Sequence, residues 1–335
     1  MTAAVQPPGQ VAGGAPAAGG AVVPPVRDRR GRRGPSGFRR ALRRHWQLYL
    51  LAAVPLVWYA IFQYIPMANA VIAFKDYNPF QGIWGSPWVG LEHFERFVSN
   101  PIFGDLVRNT LLLSVYGLLA GFPIPVILAL ALNEVGNGAF RRAVQMVTYA
   151  PYFISTVVIV SMVMLFLNPR VGLISGVLQA LGFPDVDLMG QADAFRHIYV
   201  WSGVWQTAGY SAVIYMAALA GVDQALYDAA KVDGANRLQK IWHVDIPGIM
   251  PTMAIVLVLS VGNIMAIGFE KVFLLQNPLN LGVSEIIPTY VYKVGLLNAD
   301  FSYATAVGLF NAVINLVLLL VVNKVVKKLT GSGLW

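Results

Sequence analysis

Apolar residues fall into six long runs, at roughly 46–74, 106–132, 144–167, 198–221, 249–269 and 302–323, separated by more polar stretches. Each run reaches the ~20 residues that a helix rising about 1.5 Å per residue needs to cross about 30 Å of hydrocarbon. Helix is the predicted form because, in lipid, every backbone polar group must find its partner inside its own segment. The pattern thus predicts an all-α membrane protein with six transmembrane helices. Pro55, Pro66, Pro123, Pro125, Pro151 and Pro251 sit in or beside these runs and predict kinks, with the Pro123–Pro125 pair bending the second span sharply. The spacing Gly117-x-x-x-Gly121 predicts a packing face in that span. Ala68-Asn69-Ala70 has the form of a signal-cleavage site, but the apolar stretch before it is about twice the usual signal length, so the first run is read as a span.

Composition agrees. The chain of 335 residues is 57% hydrophobic and 12% charged, too little charge to cover a water-soluble surface. The formal charge of +8 belongs wholly to the N-terminal region, where residues 1–44 carry nine Arg and one Asp. Residues 1–45 form a tail rich in Ala, Gly, Pro and Arg that is predicted to be disordered, leaving 46–330 as the transmembrane domain with a loop at 222–248. The tail's arginines suit anionic lipid and topology setting. Without interleaved aromatics they do not suggest nucleic acid.

Lys and Arg placement sets the orientation. With the N-terminus inside, the inner segments hold 17 Lys and Arg against seven outside, so both termini are predicted to be cytoplasmic and the protein a multi-pass component of the cytoplasmic membrane. Trp46 and Tyr49 at one edge of the first span, and Tyr77, Trp84 and Trp88 beyond the other, suit the two interfaces. The absence of cysteine excludes disulfides and thiolate chemistry, and four scattered histidines offer no metal cluster. No G-x-x-x-x-G-K-[ST] occurs, so the chain itself does not cradle nucleotide phosphates.

The loop between the fourth and fifth runs reads as two surface helices. Asp223 is a predicted N-cap for a helix over 224–232, and Gly234 supplies the break. A second amphipathic helix is expected over about 235–244, stopped by Pro247. Ala229 and Ala230 form a small-residue knuckle that a partner's backbone could approach closely. A plain surface helix–turn–helix is the competing reading of this stretch.

Asp228-Ala229-Ala230, three residues, Gly234, nine residues, then Val244-x-Ile246-Pro247 resembles the EAA---G---------I-LP loop of ABC importer permeases. Asp stands for Glu, Val for Ile and Ile for Leu. Further blocks resemble the LplB-type carbohydrate permeases, the oligo- and polysaccharide branch of the maltose-transporter-like (MetI-like) family. They include Asn109-Thr-Leu, Leu132-Asn-Glu134, Tyr149-Ala-Pro151-Tyr-Phe-Ile-Ser155, Gly268-Phe-Glu270 and Ala304-Thr-Ala-Val-Gly308-Leu-Phe310. The resemblance implies a type I ABC importer permease fold and half of a translocation pathway for an oligosaccharide. It implies a second homologous permease, two ATP-binding subunits and an extracytoplasmic solute-binding protein as partners. Asp228, Ala229, Ala230, Asp233, Gly234, Ile246 and Pro247 would couple to the ATP-binding subunit, which alone would hold ATP and Mg. The chain would need no cofactor of its own and would not be an enzyme.

Apart from Arg108 near one end, the six runs contain no Lys, Arg, Asp, Glu or His, which argues against an ion- or proton-coupled carrier or channel. A membrane enzyme is disfavoured by the lack of paired carboxylates or a nucleophile–base set in the spans. The runs offer neutral polar and aromatic groups suited to hydroxyl-rich solutes. Tyr152, Trp205, Gln206, Tyr210, Asn263, Phe269 and Asn311, with Glu270 at the outer end of the fifth run, are the candidate solute path, with Asn263 foremost because Gly262 beside it permits close approach. Polar contacts that tie helices together are the competing reading for each of them.

Overall fold

The computed structural model describes residues 45–135, 138–182, 187–262, 264 and 268–330. The Arg-rich tail and Asn263 lie outside these residues. The described residues are helical almost throughout, and the extended pairing among them is one isolated bridge between Lys75 and Trp88. Contacts divide the chain into two units, one ending at Tyr64 and one beginning at Ile65.

The first unit holds helix α1 (Trp46–Tyr59) and the π-turn Ala60–Tyr64; none of their side chains is buried, although nearly all are apolar. A surface of that composition suits lipid rather than water as its neighbour.

In the second unit the principal helices are α2 (Phe103–Gly121), α3 (Pro123–Glu134), α4 (Ala139–Tyr149) and α5 (Thr156–Phe166). Next come α6 (Ala192–Ala220), α7 (Gln224–Val232), α8 (Arg237–Lys240) and α9 (Ile246–Gly262). The series ends with α10 (Phe269–Leu275), α11 (Ile287–Tyr292) and α12 (Phe301–Thr330). Among the described residues four helices are long and apolar enough to cross a membrane: Trp46–Phe74, Phe103–Glu134, Arg237–Gly262 and Phe301–Lys328. The stretch Ala139–Phe153 together with Thr156–Phe166 is a fifth if counted as one span. The fourth predicted span is a continuous 29-residue helix, α6, whose Trp201, Trp205, Gln206 and Tyr210 make it more polar than the rest.

Three expectations are corrected. Pro123 and Pro125 do not bend the second span sharply. Phe122 is a single interruption that stays in the right-handed region (φ −80, ψ −49), because a proline at the first turn of a helix removes an N–H that would be unpaired anyway. The sharp bend, 104°, lies instead between Phe153 and Thr156, where Ser155 is extended and caps α5 by accepting from the Val158 N–H.

Pro247 does not stop a helix either. The chain runs on from α8 through a π-turn at Ile241–Asp245 into α9, with the Ile246 N–H bonded to the Ile241 carbonyl. The chain passes the proline through this widened turn without breaking, so the fifth span starts inside the loop. The third correction concerns Gly117 and Gly121. A Cβ at either would meet nothing within 4 Å, so they line open space rather than a packed seam.

α6 is the central post, packing against α2, α3, α4 and α9. At its loop end Ala212, Tyr215 and Leu219 meet Val126, Ala129 and Leu130 of α3 and Ile249 of α9. At its far end Phe195 joins a second core with Leu113, Val160, Val272, Leu275 and Ile286. Gly209 lets α4 approach: a Cβ there would stand 2.0 Å from the Thr148 carbonyl oxygen.

Candidate functional site

The loop folds as its residues dictate. Asp223 caps α7 by accepting from the Ala225 N–H at 2.9 Å. Gly234 takes φ +71, a left-handed conformation that suits a residue without Cβ, and the Ala235 N–H closes the turn on the Ala230 carbonyl at 2.9 Å. Asn236 and Gln239 then form a reciprocal capping box, at 2.8 and 2.9 Å, that starts α8. Both helices are thus capped by residues of the loop itself.

Ala229, Ala230 and Asp233 line one groove with Leu226, Gln239 and His243, a cavity of about 400 Å³. Leu226 in its lining and Val232, Leu238 and Trp242 elsewhere on the loop are exposed, Val232 at 87%. Asp228 lies outside the groove in an exposed pair with Lys231 at 3.3 Å. Gly234 shapes the turn. Ile246 faces inward and packs on the core around Tyr215 and Ile249, while Pro247 remains exposed. The seven loop residues thus divide into an exposed face and an anchor.

Residues outside the motif carry the anchor. Lys240 of α8 pairs with Glu134 at the end of α3, at 2.5 Å with both side chains mostly buried. The Tyr227 hydroxyl donates to Asp245 at 2.5 Å, and Asp245 is fully buried. Burial, followed by the Asp245 bond, pushes the Tyr227 hydroxyl up to about 12. The sequence places Glu134 in a block resembling the carbohydrate permeases but carries no signal for its partner, which is 106 positions away in the chain.

The path candidates divide as well. Tyr152 and Tyr210 stack with ring centroids 3.9 Å apart and planes 7° apart, with Phe153 edge-on to Tyr210. Gln206 donates to the Ile154 carbonyl at 3.2 Å, so it bridges α6 to the bend before α5. Gln206 and Glu270 line one cavity of about 300 Å³, together with Gly117, Gly121, Tyr199 and Lys271. Trp205 faces elsewhere, into an apolar cavity with Met162, Phe166 and Trp201. Phe269 stacks on Phe273, meets Tyr292 at a tilt and lines a third, larger cavity near α12. Asn311 is half-buried on α12 and lines none of these cavities.

Two groups were missed from sequence. Tyr116 accepts from the Trp201 indole N–H at 2.8 Å and meets His197 Nδ1 at 2.7 Å, tying α2 to α6. Lys271 is buried and its Nζ has no hydrogen-bond partner among the described residues. Burial draws its ammonium down to about 8. Sequence counted it only as one outward charge. No cluster of three or more His, Cys, Asp or Glu that could hold a metal occurs among the described residues.

The segment from Gly268 to Asp300 is pinned internally. Asn109 of α2 donates to the carbonyls of Gly282 and Glu285 at 2.9 and 3.2 Å and accepts from Arg196 at 3.0 Å. Thr110 accepts from the Ile287 N–H at 3.0 Å, and Lys293 pairs with Glu285 at 2.5 Å.

Comparison with known proteins agrees with this architecture. The chain is 41% identical over 295 residues to Protein LplB of Bacillus subtilis, covering 88% of this chain and 93% of that one. It is 42% identical over 288 residues to the polygalacturonan/rhamnogalacturonan transport system permease protein YteP of the same organism, covering 86% and 90%. It superposes with a TM-score of 0.82, at 38% identity and covering 88% of this chain and 99% of the other, on a chain of a bacterial ABC transporter involved in the import of the acidic polysaccharide alginate. Residues 121–331 match the family described as binding-protein-dependent transport system inner membrane component, and the chain belongs to that family.

Proposed function

We infer that this protein is the permease subunit of an ATP-driven carbohydrate importer of the inner membrane, a transport component rather than an enzyme. The support is family membership, together with the transport of polygalacturonan/rhamnogalacturonan and the import of alginate named for two of its relatives. Such a subunit works with another permease, an ATPase and a solute-binding protein. In the finer reading six spans carry both termini to the cytoplasm and a homologous permease completes the path. Two ATP-binding subunits, holding ATP and Mg, dock on the 222–248 loop. Tyr152, Tyr210, Gln206 and Glu270 border the solute, and the segment beyond α9 meets the solute-binding protein.

One observation carries the coupling role. The loop presents an exposed groove at Ala229 and Ala230, edged by Asp233, Gln239 and His243, while Lys240–Glu134 fastens it to α3 and Tyr227–Asp245 ties α7 to the π-turn that leads into α9. A partner gripping that groove moves two spans at once. Gly234→Pro tests it, because proline is locked near φ −65° and cannot adopt +71°. In the reconstituted complex the variant should insert into membrane normally and lose solute-stimulated ATPase. Undiminished stimulation refutes the loop assignment.

A further inference from the structure

Lys271 is 8% exposed, and its Nζ has no hydrogen-bond partner among the described residues. It borders the cavity of about 300 Å³ that also holds Gln206, Thr207, Thr156 and Glu270. The ammonium lies 5.3 Å from the centre of the Tyr199 ring, a contact that attracts it without neutralising it. Gly203 makes room for it, since a Cβ there would stand 3.3 Å from Nζ. A buried ammonium is stable only when an acceptor or opposite charge completes it, so this cavity is a site that lacks one component.

We propose that the missing component is a carboxylate of the cargo, so that Lys271 selects acidic saccharides over neutral ones. This rests on the carbohydrate reading above. A single ammonium with the amide of Gln206 and the hydroxyls of Thr156 and Thr207 on the same cavity matches a monoanion. Glu270 on the same cavity disfavours a dianion such as a phosphate, whose second charge would meet like charge. Gln206, Thr156 and Thr207 supply the donors and acceptors that sugar hydroxyls need, and Tyr199 supplies a ring face.

The test uses the complete transporter in vesicles with trigalacturonate and neutral galactotriose as probes. Lys271→Gln should lower ATP-driven uptake of trigalacturonate by about tenfold more than uptake of galactotriose, and Lys271→Arg should restore most of the difference. In the unaltered complex, trigalacturonate but not galactotriose should slow acylation of the Lys271 amine, read by mass spectrometry. Equal losses for both sugars, or acylation indifferent to trigalacturonate, overturns the Lys271 assignment and leaves the carbohydrate reading standing. A wild-type complex that moves neither sugar with ATP overturns both.

Discussion

The two ends of α6 handle polar groups in opposite ways. Around the loop that follows its C-terminus, local caps by Asp223, Asn236 and Gln239 do most of the work, Tyr227–Asp245 ties the loop to itself, and Lys240–Glu134 joins it to α3. Its remaining surface, including Leu238 and Trp242, is exposed. Beyond the N-terminus of α6, the 268–300 segment buries its polar groups and satisfies them within the same fold, through Asn109, Thr110, Asn280, Ser284 and Thr289. An element closed on itself holds a shape. One with exposed apolar side chains and few outward ties suits the grip of a partner proposed above. Within that segment Lys271 is the exception, and the proposed cargo carboxylate would complete it.

The comparison can be broken by attacking each end in turn. The largest effect should come from Glu134→Lys, which sets two cations together in a mostly buried place and costs about 3 kcal/mol or more. Solute-stimulated ATPase should collapse, and the exchange Glu134→Lys with Lys240→Glu should recover it; a double variant as poor as the single one would show that the pair does not transmit. Next, Asn109→Ala removes two donated bonds and one accepted from a guanidinium, about 2–3 kcal/mol together. Its unfolding midpoint should fall while the ratio of stimulated to basal ATPase holds. A change in that ratio would mean the far end also transmits force.

A smaller, pH-dependent effect follows from Lys271. Its ammonium is held down to about 8 against an ordinary 10.5, so between those values the unfolded chain carries the extra proton. Stability should therefore rise with pH across that window. The titratable groups bordering it are Tyr199 of α6 and Glu270. Lys271→Gln should flatten the rise, as followed by thermal unfolding between pH 8 and 10.5. The smallest effect is Lys231→Ala: its pair with Asp228 is exposed on both sides, and its loss should change stability by less than about 0.5 kcal/mol.

Local rules carried far in the sequence and stopped at long-range pairing. Asp223 as a cap, Gly234 as the break and the apolar runs were legible because each depends on neighbours within a turn or on one periodicity. Pro247 misled because its effect depends on a π-turn that forms only when the preceding helix can widen. Pro123 misled in the same manner, since its cost vanishes at a helix start. The stack of Tyr152 on Tyr210 and the cavity shared by Gln206 and Glu270 require the 104° bend before α5, which no spacing encodes. Trp205 shows the reverse: adjacent to Gln206 in sequence, it points into a different, apolar cavity because a helix turns about 100° per residue. Lys271 was invisible because its burial depends on Tyr199 and Gly203, on another helix.

The central claim is that an ATP-binding subunit grips the groove at Ala229. The chain has no cysteine, so one introduced as Ala229→Cys is unique. In the assembled transporter a short bifunctional thiol-reactive cross-linker should join it to a cysteine on the ATP-binding subunit, giving one adduct that nucleotide state modulates. No adduct from position 229, with a strong one from Pro278→Cys at the opposite end of the molecule, would contradict the account.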